Sequence, residues 1–321
     1  MGERFILGNA DNSKLGNIIK CNNYDVESID LNNMNDSHTL IVNEIKKGTV
    51  LDVGCSTGII GRTLKLIKND IVVDGIELDK EAYNEIKKNK VYNDLYNINI
   101  CDFDNNNTKK FYDSNKKYDY IIFADVLEHL INPDEVLYKM SKKLSKNGVI
   151  IISIPNVSHI DIIRSLINNE FNYNDRGILD STHLRFFTKN SFCDMIHNIE
   201  ERYNVCYKVE LFAQTKAFPS DINAIDTALF NTCNNLEEYS VVQNLFKVSN
   251  TKSRRIQKRD SLDYFEEMNR SYNNVINNNK KLVEENLELK TEIEELRKTI
   301  NNIVNSKRYK VIDKMAKIIK H

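Results

Sequence analysis

The 321 residues carry 45 lysines and arginines against 46 aspartates and glutamates and are 41% hydrophobic, enough for one α/β core with a segment to spare. No apolar run approaches the roughly 20 residues that cross a bilayer, Met1–Phe5 lacks a secretory signal's apolar stretch, and the 6 cysteines form no Cys-x-x-Cys pair, so a cytoplasmic chain with reduced thiols is expected. The charge is uneven: 29 basic and 35 acidic residues run through Lys252 (−6) and 16 basic and 11 acidic follow (+5), which argues against a polynucleotide bound by the acidic part.

Residues 1–36 are polar, Asn-rich and without periodicity, an irregular lead-in. Ser37 is a cap for a helix over Thr39–Lys46. A buried strand at Thr49–Val53 precedes a helix over Ile59–Lys68. Strand two is Ile71–Ile76, helix two Glu81–Lys88, and strand three Tyr96–Ile100. An Asn/Lys-rich loop then leads to strand four, Tyr118–Ala124. Pro133 opens a helix at its first turn, Gly148 ends it, and Val149–Ile154 is strand five. This alternation predicts a parallel sheet with helices on both faces. Beyond Pro155 come a helix over Ser158–Asn169, a loop over Phe171–Thr188 and a helix over Lys189–Asn198. Strands follow at Val205–Phe212 and Tyr239–Val248. These elements delimit one α/β domain over residues 37–252.

A basic linker (253–261) leads into heptads over 262–305. Phe265, Tyr272, Asn279, Asn286, Ile293 and Ile300 take position a, and Met268, Val275, Leu282, Leu289, Leu296 and Ile303 take position d. This pattern predicts a coiled coil joining two copies, with the two Asn at a fixing register in a parallel pair; the alternative is one long helix folded back on the domain. The tail, 306–321, gathers Val311, Ile312, Met315, Ile318 and Ile319 on one face among lysines. It suits either peripheral contact with an anionic membrane or a solvated helix end.

The densest chemistry lies in Val50–Gly61, Val-Leu-Asp-Val-Gly-Cys-Ser-Thr-Gly-Ile-Ile-Gly. Gly54, Cys55, Ser56 and Gly58 form a small-residue turn that lets a ligand approach the backbone, and the helix after it offers free N–H groups to a carboxylate. Asp52 can take an ammonium, directly or through water. A dinucleotide site would need Gly-x-Gly-x-x-Gly, which is absent, and an acid at Asp52 would repel a pyrophosphate. Glu77, ending strand two, can accept two ribose hydroxyls, and Asp79 beside it reads as a helix cap. Asp102 ends strand three, with Leu78 and Phe103 able to flank a flat ring and Ala124 closing strand four.

On these residues the chain resembles class I S-adenosylmethionine-dependent methyltransferases. The resemblance implies a Rossmann-like, seven-stranded, mostly parallel sheet whose last two strands are antiparallel at the edge. It also implies that Asp102 accepts from the adenine amine. Phe123-Ala-Asp-Val-Leu-Glu-His129 is similar to the Glu-x-x-Glu-His segment of ubiquinone-biosynthesis O-methyltransferases and small-RNA 2′-O-methyltransferases, where the acids and histidine can hold a divalent metal with a later histidine. That resemblance makes Asp125, Glu128, His129 and His183 the acceptor-side candidates. They bind Mg2+ or another divalent metal that lowers an acceptor's pKa, supply His129 or His183 as a metal-free base, or start and pack a helix.

Ser153–His159 with the Tyr173–Thr188 loop resembles methyltransferases of bacterial surface-polysaccharide assembly. There the loop would be a lid, Tyr173 and Phe187 would stack on a sugar, and Arg185 would bind an anion of the acceptor or Asp180. Asn156 and His159 either touch the acceptor or cap a helix. The expected activity is O-methylation of a glycan or sugar-containing acceptor. RNA 2′-O-methylation, a small quinone or phenol acceptor, and a non-catalytic coiled-coil scaffold are the rivals.

Overall fold

In the computed structural model, residues 28–217, 239–252, 289–303, 305–306 and 310–311 are described. The chain divides into two units, Met1–Gln257 and Lys258–His321. The first contains α1 (Ser37–Glu44), β1 (Gly48–Val53), α2 (Ile59–Ile67), β2 (Ile71–Ile76), α3 (Lys80–Asn89), β3 (Leu95–Tyr96) and α4 (Asn106–Asp113). Then come β4 (Tyr118–Ala124), a 3-10 turn (Leu127–His129), α5 (Pro133–Ser141), β5 (Leu144–Pro155), α6 (Ile160–Ile167), α7 (Lys189–Tyr203), β6 (Tyr207–Lys216) and β7 (Val241–Asn250).

The strands form one 7-stranded sheet in the order β3-β2-β1-β4-β5-β7-β6. The first five are parallel, and β7 runs antiparallel to both β5 and β6. This is the expected Rossmann-like sheet with its antiparallel edge. Alternation along each strand splits the core in two. Leu51, Val53, Ile121, Phe123, Ile150 and Ile152 pack with residues of α4, α5 and α7 on one face. Val50, Val73, Ile122 and Ile151 pack with α1, α2 and α3 on the other.

Several boundaries differ from the sequence reading for local reasons. The cap of α1 is Asp36, whose side chain accepts from the Thr39 N–H, while Ser37 is already helical and buried. Strand three shrinks to Leu95–Tyr96. The Asn/Lys-rich loop contains α4, capped by Asn105 and closed at its other end by the buried Lys143, whose Nζ donates to the Phe111 and Ser114 carbonyls at 2.9 and 2.6 Å. Gly148 does not terminate a helix. It lies inside β5, where a Cβ would come within 2.7 Å of the Tyr118 carbonyl oxygen across the ladder. Asn35, in the expected lead-in, exchanges two 2.7 Å hydrogen bonds with Lys216 of β6.

In the second unit residues 289–303 are helical. The remaining heptads and the linker lie outside the described residues, as does the tail except Ser306, Lys310 and Val311. Among the described residues no helix is long and apolar enough to cross a membrane.

Candidate active site

Strand order reverses between β1 and β4, which opens a crevice at the carboxyl ends of the strands. The turn after β1 enters it at Gly54, whose φ of +69° and the 2.8 Å from its would-be Cβ to Val126 Cγ2 admit only glycine. Gly58, with φ +76°, is the N-cap of α2. Ser56 takes φ +44°, and its N–H donates at 2.7 Å to Glu77 Oε2, while the Asp79 N–H donates at 2.7 Å to Oε1. Burial raises the pKa of Glu77 against these two donors. Cys55 is buried in the turn, its thiol pushed up by burial and then by the charges of Asp52 and Glu77.

Asp52 lies deeper than the sequence suggested, 2% exposed. Its Oδ2 accepts from the Tyr92 hydroxyl at 2.7 Å, and burial pushes its pKa up to about 6. Tyr92 was missed in sequence because nothing in the pattern ties it to strand one. His38 was also missed. Burial opposes its charge, but the Asp36 side chain, then the charges of Asp125 and Asp52, outweigh that and raise its pKa.

Of the residues expected around the adenine, Leu78 is exposed and Ala124 is half-buried at the end of β4. Asp79 caps α3 as expected, accepting from the Glu81 and Ala82 N–H groups. Asp102 is exposed and accepts from the Asn105 N–H at 3.2 Å. Phe103 lies 4.5 Å beneath Lys139 Nζ and packs on Tyr112.

The second cluster is built by backbone bonding. The carbonyl of Glu128 accepts the N–H groups of Leu184 (2.8 Å) and Arg185 (2.9 Å), which clamps the 180–187 loop onto the 3-10 turn. Glu128, His129 and His183 thereby bring ligand atoms within 4.8 Å of one another. Glu128 is 1% exposed and neither carboxylate oxygen has a hydrogen-bond partner. Burial, then the charge of Asp125, holds its pKa well above the usual carboxylate range. His129 Nδ1 lies 3.2 Å from the Thr182 carbonyl and His183 Nδ1 lies 3.0 Å from that of Ile178. Those pairings put the proton on Nδ1 and leave Nε2 of each ring as a lone pair. Burial and the neighbouring His183 lower the pKa of His129, keeping it neutral. Asp180, buried, accepts from the Thr182 N–H and hydroxyl at 2.8 and 2.7 Å and so fixes the residue that orients His129.

Asp125 does not join this cluster. Gln243 of β7 donates its amide to both carboxylate oxygens at 2.8 and 2.9 Å, and Ser153 of β5 donates to Oδ1 at 3.2 Å. Phe187 is buried against Phe192, unavailable for stacking. Arg185 donates to the Ile131 carbonyl at 2.6 Å, holding the loop rather than Asp180. Asn156 donates to the Val241 carbonyl at 2.9 Å, and His159 caps α6; both are structural. Tyr173 remains 54% exposed. It forms an aromatic trio with Phe171 and Phe186 at centroid distances of 5.5 to 6.3 Å, and Phe186 lies 6.4 Å from His183.

Residues 31–200 match the family described as "Methyltransferase domain". The chain belongs to this methyltransferase family. Among curated methyltransferases it is 30% identical over 113 residues to a ubiquinone biosynthesis O-methyltransferase of Pasteurella multocida, covering 33% of this chain and 46% of that protein. It is 31% identical over 131 residues to that of Rickettsia conorii, covering 40% and 42%. The chain thus spans about half the length of the curated relatives it matches. Among solved structures, the plantazolicin methyltransferase BpumL in complex with SAH is 20% identical, with a TM-score of 0.43 over 66% of this chain and 79% of that one.

Proposed function

We propose that this methyltransferase transfers the methyl group of S-adenosylmethionine to a hydroxyl of a glycan or sugar-containing acceptor, with a divalent metal at Glu128, His129 and His183. The observation that carries the acceptor side is the orphaned, buried Glu128 carboxylate facing two imidazoles whose Nε2 lone pairs are free. Two imidazoles and one carboxylate suit a borderline divalent cation such as Mn2+ or Zn2+ better than Mg2+, which prefers oxygen ligands, so the donors present fit a metal of that kind.

The roles of the chain's own residues follow from chemistry. Glu77 accepts from the ribose diol, and the turn at Gly54, Cys55, Ser56 and Gly58 receives the methionine part against the N-terminus of α2. Leu78 and Ala124 line the nucleoside, Asp102 accepts from its amine, and Phe103 edges it. Asp52 and Glu77 supply negative charge beneath the sulfonium. His129 and His183, oriented through Thr182 and Ile178, would offer their Nε2 lone pairs to the metal, and Asp125 holds the adjoining wall through Gln243. When bound, the metal would lower the pKa of a hydroxyl that it contacts. In-line displacement at an already activated carbon then needs alignment above all.

The aromatic trio beside His183 supports a ring-bearing acceptor, and a sugar face is the first reading. A phenolic ring is the second, favoured by the names of the curated relatives. The charge of the domain disfavours RNA. S-adenosylhomocysteine release should be followed against a panel of glycans, phenols and RNA, with manganese and then with chelator. Activity unaffected by chelator, or confined to RNA, would defeat this reading; calorimetry with no S-adenosylmethionine binding would leave only a scaffold.

The same assignment predicts a pH dependence. Asp52 has a folded pKa above its unfolded value, so its contribution to folding is complete below about pH 4 and is lost as pH rises through about 6. A bound sulfonium favours the ionised carboxylates, so affinity for S-adenosylmethionine should be flat above pH 7 and fall up to about tenfold from pH 6 to pH 5. Calorimetry across pH checks this, and an affinity that climbs in acid contradicts it. The C-terminal heptads we read as a coiled coil.

A further inference from the structure

We infer that the helix of residues 289–303 is one strand of a parallel, in-register, two-stranded coiled coil between two copies of this chain, its orientation set by Glu292 of each copy facing Arg297 of the other. The inference rests on the coiled-coil reading and deepens it. Leu289, Ile293, Leu296, Ile300 and Ile303 follow one another at alternating spacings of four and three residues, and each is between 48% and 59% exposed. Leu289, Leu296 and Ile303 fall at d, and Ile293 and Ile300 at a.

The stripe is narrow. The flanking positions are Lys290 and Arg297 at e and Glu292 and Thr299 at g, while Thr291, Glu294, Glu295, Lys298, Asn301 and Asn302 fill the outer face. A helix packed on a globular core carries a broader apolar face with a third hydrophobic column. A two-column seam edged by charge fits another helix of the same kind. β-branched Ile at a with Leu at d favours two parallel strands.

Charge then selects the orientation. In a parallel, in-register pair, a g residue lies beside the e residue that begins the next heptad of the partner. Glu292 therefore meets Arg297 of the other copy, twice by symmetry. The sequence repeats the relation one heptad earlier, with Glu285 at g and Lys290 at e. An antiparallel pair sets g against g and e against e, which puts acid beside acid and base beside base.

The test uses the full chain. Sedimentation equilibrium should give twice the 37.3 kDa of one chain. Glu292→Lys and Arg297→Glu should each weaken the dimer by about tenfold. The double swap should restore it, and mixing the two single variants should favour the heterodimer. Leu296→Cys should give, on oxidation, a disulfide that peptide mass spectrometry maps from 296 to 296. Binding of S-adenosylmethionine by the variants shows that the first unit stays folded. A monomeric wild-type chain overturns the coiled coil itself. A dimer indifferent to the charge swaps, or one lacking the 296–296 bond, overturns only the parallel register.

Discussion

Alanine in place of His183 is expected to lower turnover by about 10²- to 10⁴-fold while affinity for S-adenosylmethionine changes less than about twofold, because the imidazole belongs to the Glu128 and His129 cluster and not to the turn after β1. Glu128→Gln should lose turnover to a similar extent but differ in stability. Both oxygens of Glu128 are buried without partners, so the ionised side chain costs the metal-free fold free energy. Its folded pKa lies above the unfolded one; its favourable contribution is therefore complete below about pH 4 and drains away as pH rises through the folded value. Glutamine carries no such loss, and its amide can donate to the free Nε2 atoms. At pH 8 the variant should melt about 2–6 °C higher than wild type.

Manganese at about one hundred times its dissociation constant should add about 2.7 kcal/mol to wild type and little to Glu128→Gln. Activity traded against stability at one residue marks a site built for something other than folding. A His183→Ala enzyme with normal turnover would remove the imidazole from the mechanism. A Glu128→Gln protein less stable than wild type, with its manganese response intact, would remove the carboxylate.

Legibility of this chain tracked how local the determining physics was. β2 and β4 were read to the residue, because β-branched and aromatic residues dominate both runs, interrupted only by Asp74 and Gly75 in one and Asp119 in the other. The position of Glu77, directly after β2, was equally legible, being fixed by its strand. The Glu128–His183 contact was suggested by resemblance, yet what makes it, the Leu184 and Arg185 amides on the Glu128 carbonyl, is backbone bonding across 56 positions that no side-chain pattern records. Helix α4 was read as a loop because only Thr108 and Phe111 are buried in it. Its closure depends on Lys143, a residue that sequence alone places on the surface. Phe187 and Arg185 were assigned to the acceptor for their chemistry, but the loop uses them internally, one as core and one as clasp.

Tyr92 illustrates the same limit, and it defines a substitution expected to harm the fold severely. Gly61→Ala would place a Cβ 2.6 Å from Tyr92 Cε1 and 2.8 Å from its hydroxyl oxygen. The ring cannot simply swing aside, because it is buried and its hydroxyl is bonded to Asp52. Moving it adds an overpacking cost of about 1–3 kcal/mol to the loss of a partner by a buried carboxylate, about 1–3 kcal/mol. Denaturant unfolding should therefore show a loss of about 2–6 kcal/mol, and affinity for S-adenosylmethionine should fall with it, since α2 starts at the turn after β1. Tyr92→Phe removes only the hydroxyl and should cost about 1–3 kcal/mol. Tyr92→Leu combined with Gly61→Ala should recover part of the steric loss and none of the hydrogen bond. If Gly61→Ala unfolds like wild type, Tyr92 does not brace Asp52, and the ordering of the turn must come from Glu77 and its two backbone donors alone.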